Sequence, residues 1–396
     1  MFNWISQLVV MSLMNLGNIR QRLGASSVAV FGVAGVVGVF VAVLSMAAGF
    51  EKTMLSATAD DVALVMRSGA TAELNSGLGY DQTQLIADAP GILREDGRAI
   101  TSAELFVIVD IPKRATNTSA NVPLRGVQPG AFAVRENVKI IEGRNFEPGR
   151  HELIVGKGAQ AQFANLEVGS TVTFGQLDWQ VVGVFEAGGG VNESELWCDV
   201  RVLQPAYRRG NSFQSVRVKL ADTDALPTLK RALAANPQLD VDIKLESEYS
   251  AEQSEPLSKF IRVLGYPLAV LMSLGAVFGA INTMYASVSA RTREIATLRA
   301  LGFGAVPVAI STLIESLILA LIGGGLGAAA VYVIFNGYTV STINGASFSQ
   351  VVFDFAVTGE LVVQGVMVAM LIGLLGGLLP AVRAARMPVA LALRET

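Results

Sequence analysis

Cysteine and histidine are nearly missing from this sequence: Cys198 and His151 are the only ones among 396 residues. One cysteine excludes an internal disulfide framework, and one histidine leaves too few ligands for a zinc site, so no metal centre is expected. Charge is thin as well, at 16% Asp, Glu, Lys and Arg, where soluble domains carry about 25%. No G-x-x-x-x-G-K-[ST] run occurs, nor G-x-S-x-G, nor H-E-x-x-H. Those gaps exclude a P-loop, a nucleophile elbow and a metalloprotease helix within these residues. The chain is expected to be no enzyme, to hold no cofactor of its own and to have no nucleic-acid partner.

What is abundant is apolar: 52% of residues are hydrophobic and 40 are glycine. That is the composition of a membrane protein. Charge disappears over the ~20 residues that a bilayer-spanning helix needs in four places. Leu23–Phe50, Val263–Ala290 and Leu361–Val382 carry no Asp, Glu, Lys or Arg, and Val306–Phe335 carries only Glu315. Transmembrane helices are therefore placed at 23–50, 261–290, 306–335 and 361–382. The first run is longer than the roughly 7–15 apolar residues of a signal peptide and reads as a signal anchor, although "SMAAGF" loosely resembles a cleavage site. Ahead of it, Ile5, Val9, Leu13, Leu16, Ile19 and Leu23 recur at helical spacing. Residues 1–22 fit either an amphipathic helix in the membrane interface or a cytoplasmic extension of the first span.

Orientation follows from the basic residues of the short segments. Arg20 and Arg22 precede the first span, Arg291, Arg293 and Arg299 lie in segment 291–305, and Arg383, Arg386 and Arg394 follow the fourth span in tail 383–396. The remaining short loop, 336–360, has no Lys or Arg. Both termini and segment 291–305 are thus expected in the cytoplasm, and loop 336–360 and the insertion 51–260 outside it. The insertion carries 21 basic and 28 acidic residues, while the cytoplasmic segments carry 8 and 2. The fold class expected is an α-helical membrane protein with four transmembrane helices and one large mixed α/β extracytoplasmic domain inserted between helices 1 and 2.

Strands are read in that insertion at 103–113, 152–158, 170–186 and 212–220, the third with a turn near Gly175–Asp178. A helix is read at 225–236 with Asp224 as its N-cap, and "EYSAEQSEPLSKFIRVLGY" leads helically into span two. "GKGAQA" (Gly156–Ala161) with Asp178 downstream mimics a dinucleotide fingerprint, but too little chain separates it from the next strand for a βαβ unit. The plain reading is a strand end with two turn glycines.

The spans carry small residues at packing intervals: Gly275/Gly279, Gly323/Gly327 and Gly373/Gly377 as GxxxG, and Gly32, Gly35 and Gly38 three apart. Such spacing lets helices approach closely in lipid. Pro267 and Pro307 are placed near span ends. Glu315 is the one ionisable residue well inside a span, which marks it as functional; the alternative is that it reaches the cytoplasmic interface or caps against Arg299.

The stretch "SARTREIATLRALGFGAVPVAISTLIESLILALIGGGLG" closely resembles the core of FtsX/MacB-type ABC transporter permeases, and "LLPAVRAARMPVALALRET" resembles their tail. The segment 124–189, beginning "LRGVQPGAFAVRENVKIIEGRNFEPGRHELIVGKG", is similar to the MacB-like periplasmic core domain, and "VAVLSMAAGFEKTM" to the exit of the first span. The resemblance implies the permease subunit of an ABC transporter without a fused ATPase. A separate ATPase subunit would bind ATP and Mg, and the permease would pair with a second copy or a paralogue in the inner membrane.

It also implies a role for 291–305 as the segment that couples to the ATPase. Ile295, Leu298 and Leu301 would offer an apolar stripe, Arg291, Arg293, Glu294 and Arg299 charged contacts, and Gly302 the helix end. The alternative for the same arginines is a merely positive-inside loop. Function would then be mechanotransmission, in which ATP hydrolysis moves the periplasmic domains to export or extract a lipoprotein, lipid, peptide or amphiphile. A periplasmic adaptor and outer-membrane channel are further partners of the export reading. The competing function is an FtsX-like regulator that activates a periplasmic cell-wall hydrolase or senses an envelope ligand.

Overall fold

A computed structural model describes residues 2–18, 23–56, 58–222, 224–345 and 347–389. The chain forms two compact units. A membrane unit comprises Met1–Ala48, Phe260–Tyr338 and Ala356–Thr396, and a sheet unit comprises Gly49–Lys259 and Thr339–Phe355.

Among the described residues, four helices are long and apolar enough to cross a bilayer. Span 1 is Leu23–Leu55, span 2 Glu246–Ala290, span 3 Ala305–Phe335 and span 4 Gly359–Ala385. Within lipid a helix satisfies every backbone group by itself, so these Val, Leu, Ala and Gly runs need no partner to keep their hydrogen bonds. Their seam is built from small or branched side chains: Val33, Val37 and Val41 of span 1, Ala328 and Val331 of span 3, and Ala369 and Ile372 of span 4 are buried together. Span 2 is the least covered, with 17% of its apolar stretch buried against 39% for each other span. It begins at Glu246 and runs unbroken past Pro256 and Pro267, so Pro267 sits inside the helix and not near its end.

Along the N-terminal helix Phe2–Asn18, Met11 is buried, while Ile5, Val9, Leu13 and Met14 are about half or more exposed. Arg20, Arg22 and Arg394 lie outside the described residues.

The sheet unit is built on one mixed sheet of ten strands. Its path runs Val241–Leu245, Val62–Arg67, Ser215–Lys219, Thr101–Pro112, Ser119–Val127, Leu196–Asp199, Glu152–Gly156, Leu177–Glu186 and Lys139–Gly143, with Thr171–Phe174 added on Leu177–Glu186. The backbone of this sheet is the long antiparallel pair Thr101–Pro112 and Ser119–Val127, in register from Leu105 opposite Gly126 to Pro112 opposite Ser119. Alternation buries Leu105, Val107, Val109 and Ile111 on one face with Val122 and Leu124. The hairpin at Thr171–Glu186 turns on Gly175 and Gln176, at φ +62° and +65°. Two successive left-handed residues make the tight turn whose twist suits a hairpin, and glycine takes the first without strain.

Three local expectations are corrected. Segment 157–162 is a short helix, Lys157–Gln162, not a turn. The helix read at 225–236 spans Leu226–Ala234 and starts from Ala225 without a side-chain cap; the side-chain bond there is Asp222 Oδ1 accepting from the Asp224 N–H. The stretch 336–360 is more than a loop. It folds as a hairpin, Thr339–Ile343 against Gln350–Asp354, and Ser194 Oγ accepts from the Val352 N–H at 2.9 Å.

Candidate functional site

After Ala290 a single residue, Arg291, separates span 2 from the helix Thr292–Ala300. Its end is set by Gly302 at φ +98°. There the Phe303 N–H bonds the Leu298 carbonyl and the Gly302 N–H bonds that of Arg299, the paired bonds of a Schellman stop, which a left-handed glycine permits.

The residues expected to face a partner divide into two sets. Arg293, Glu294 and Gly302 are exposed, and Leu301 is 73% exposed. Ile295 is buried with Met11, Val288, Val308 and Ala384, and Leu298 packs on the same cluster. The apolar stripe is therefore not presented outward as a unit, because two of its three members close the chain's own core. Arg291 is buried as well, with Nη1 and Nη2 donating to the two Glu315 oxygens at 2.9 and 3.0 Å. Arg299 Nη1 donates to the Ala385 and Met387 carbonyls, 2.7 and 3.0 Å away at the end of span 4, where the helix dipole favours a cation.

Glu315, 4% exposed, does not cap against Arg299; its partner is Arg291. A lone carboxylate at that depth would cost several kcal/mol, and a bidentate guanidinium with two parallel bonds is the geometry that offsets it.

Only some of the packing glycines make contact. A Cβ at Gly323 would stand 2.6 Å from the Val30 carbonyl oxygen, and one at Gly327 2.4 Å from that of Ala34. At Gly373 and Gly377 it would meet the Cβ atoms of Ala320 and Ser316 at 2.5 and 2.7 Å. Gly32, Gly35, Gly275 and Gly279 have nothing within 4 Å of such an atom, so among the described residues they do not pack helices together, whereas one at Gly38 would be in ordinary contact with Val331 and the Gly327 carbonyl oxygen at 3.7 and 3.8 Å. Gly324, Gly365 and Gly376, which no spacing rule singled out, are in close contact instead.

The sheet unit holds a site the sequence reading missed: Glu73, Glu104, Arg125, Arg135, Glu195, Arg217 and Glu246 are all buried. Arg125 donates from Nε and Nη2 to Glu195 at 2.7 Å and from Nη1 to Glu73 and Glu104 at 2.9 Å. Arg135 forks onto Glu104 at 2.7 and 2.8 Å. Arg217 bonds Glu246 at 3.0, Glu73 at 2.8 and Glu104 at 2.6 Å. Arg125 also lies over the Phe106 ring and Arg135 over Trp197, each 5.0 Å from the centroid.

Burial alone would raise the Glu104 carboxyl, but Arg135, Arg217 and Arg125 overcome it and hold it at about 2. Glu73 is likewise driven well below the carboxylate range, with burial opposing Arg125 and Arg217. Beside this cluster is a cavity of about 60 Å³. Its lining takes Met54 and Thr58 from the end of span 1 and just beyond, Tyr249 and Gln253 from the start of span 2, and Asn344 and Gln350 from the 339–354 hairpin. The one sequence signal for the cluster is a charge inside an alternating apolar strand, as with Glu104 in "AELFVIV" and Arg217 in "SVRVKL".

Among the described residues, no group of three or more His, Cys, Asp or Glu side chains could hold a metal ion. Cys198 is buried and free.

Residues 26–236 match the family model of the MacB-like periplasmic core domain, and residues 267–389 that of the FtsX-like permease C-terminal domain. The macrolide export ATP-binding/permease protein MacB of Hahella chejuensis is 28% identical over 71% of this chain and 44% of its own length. An uncharacterized ABC transporter permease of Bacillus subtilis, YknZ, is 26% identical over 68% of this chain and 69% of its own length. The solved periplasmic region of MacB from Actinobacillus actinomycetemcomitans is 17% identical and covers 48% of this chain and 92% of that one, with TM-score 0.38. The chain spans less than half the length of the MacB relatives it matches.

Proposed function

From the premise that this chain belongs to the family that joins a MacB-like periplasmic core domain to an FtsX-like permease domain, we propose that it is a permease subunit driven by an ABC ATPase. ATP and Mg would be bound by that partner, and this chain would turn their hydrolysis into movement of its sheet unit. The substrate class proposed is an envelope amphiphile, lipoprotein, lipid or peptide handled outside the cytoplasm.

The observation that carries the reading is how Thr292–Ala300 is held. One end is tied to span 3 by Arg291–Glu315, and the other to the end of span 4 by Arg299, while Arg293, Glu294 and Leu301 face out. A helix fixed to two spans and charged on its free face can take up a push from a partner and pass it into the membrane. Both termini and this helix are assigned to the cytoplasm of an inner membrane, with the sheet unit periplasmic and two permease chains per transporter. An adaptor and an outer-membrane channel would complete an exporter.

The test is charge reversal, Arg293→Glu with Glu294→Lys. Loss of copurification with the ATPase and of its stimulation is expected, with an unchanged melting temperature. Full retention of both would overturn the docking role. Separately, reaction of Arg293→Cys with a membrane-impermeant thiol reagent in intact cells would overturn the orientation.

A further inference from the structure

The membrane unit contains a cavity of about 620 Å³ behind the coupling helix, within the range of small-molecule sites. Its apolar wall is Met11 and Met14 of the N-terminal helix with Val288, Ile295, Leu298 and Val308. Its polar end is Arg291 and Glu315, and Arg293, Glu294 and Thr297 stand on the coupling helix beside it. Arg291 is 4% exposed, and although its two terminal nitrogens are taken by Glu315, its Nε has no partner among the described residues. A buried guanidinium N–H without an acceptor is costly. What the cavity lacks is therefore an acceptor oxygen.

We propose that this cavity binds one glycerophospholipid with a zwitterionic headgroup, of the phosphatidylethanolamine class. A phosphodiester oxygen would accept from Arg291 Nε and pair with Arg293, and an ammonium would pair with Glu294. Charge complementarity selects the headgroup. Arg291 and Glu315 neutralise each other, and Arg293 and Glu294 leave one charge of each sign for the ligand, so a purely anionic headgroup would meet Glu294 uncompensated. The apolar wall selects a lipid over a free phosphate, because six apolar side chains would stay uncovered around a small anion. The N-terminal helix presents Ile5, Val9 and Leu13 outward on its exposed side, as a helix lying at the headgroup boundary does. A helix so seated would set the cavity mouth at the depth where headgroups are. Occupancy would buttress the coupling helix from behind and draw on Arg293 and Glu294, the same charges offered to the ATPase, so lipid and ATPase would compete for them; the lipid experiment is done without the ATPase and its outcome is read separately from the docking.

The experiment is native mass spectrometry on the full chain, delipidated in detergent and then offered equal phosphatidylethanolamine and phosphatidylglycerol of identical acyl chains, with inorganic phosphate in a separate arm. One phosphatidylethanolamine per chain should be retained, about tenfold over phosphatidylglycerol. Arg293→Gln should weaken it about tenfold, and Met14→Trp, which fills the apolar wall without touching a charge, should abolish retention while the melting temperature stays within a few degrees. The proposal fails if no lipid is retained, if phosphatidylglycerol is retained equally, if inorganic phosphate alone protects the chain, or if folded Met14→Trp still holds lipid.

Discussion

At the scale of single residues, the charges that decide this molecule are those turned inward. Arg291 and Glu315 illustrate the asymmetry of a buried pair: removing one partner strands a charge in a low-dielectric site, whereas removing both leaves only a packing problem. Glu315→Gln should destabilise the membrane unit by about 3–5 kcal/mol, read as a fall in melting temperature in detergent. Arg291→Met with Glu315→Leu should recover most of that loss. A double variant as unstable as the single one would mean that the pair matters for shape and not for charge. From sequence, Glu315 was legible as an anomaly because it interrupts an apolar run. Its partner was not, since Arg291 lies 24 positions away and reads equally well as one more positive-inside arginine. The interior cluster was less visible still. Its members run from Glu73 to Glu246, and no local spacing brings them together.

At the scale of elements, hydropathy recovered the four spans because charge depletion over a bilayer thickness needs no tertiary information. It placed the start of span 2 at 261, where apolar composition begins; the polar stretch from Glu248, read as leading helically into the span, is part of the same helix, which begins at Glu246. Strands such as Val62–Arg67 and Leu196–Asp199 were missed because a short run buried on both faces shows no alternation. GxxxG spacing states that a helix has a small face but not what the face meets. Gly327 and Gly279 separate the two cases. Gly327→Ala would drive a Cβ to 2.4 Å from the Ala34 carbonyl oxygen, 3.0 Å from its Cα and 3.1 Å from its carbonyl carbon. Backbone cannot yield as a side-chain tip does, so span 3 must back away from span 1 at about 1–3 kcal/mol. Gly279→Ala meets nothing within 4 Å and should be neutral or stabilising by up to about 1 kcal/mol from helix propensity. Thermal unfolding of the two variants in the same detergent checks the contrast, and equal losses would contradict it.

At the scale of the whole molecule, the cavity beside the ion cluster is lined by residues from every segment through which the chain enters or leaves the sheet unit: Met54 and Thr58, Tyr249 and Gln253, Asn344 and Gln350. Within the sheet unit, Glu246 opens the span 2 helix and bonds Arg217 of the sheet. Ionic ties of this kind contribute little net stability compared with apolar packing, but they fix geometry. Their integrity depends on pH in a stated direction. Glu104 is held at about 2 against an ordinary 4.5, and Glu73 is also lowered. A carboxylate with a depressed folded pKa contributes stability that is fully present above the unfolded value and lost as pH falls toward the folded one. The cluster should therefore hold unchanged from neutrality down to about pH 4.5, then weaken progressively toward pH 2. Trp197 reports on it directly, because its Nε1 donates to Glu195 at 2.7 Å and its ring lies under Arg135. Near-ultraviolet circular dichroism of the full chain should lose its tryptophan signal across that acid window and keep it between pH 5 and 8, and loss of the signal near pH 6 would mean that these carboxylates are not held down by their arginines.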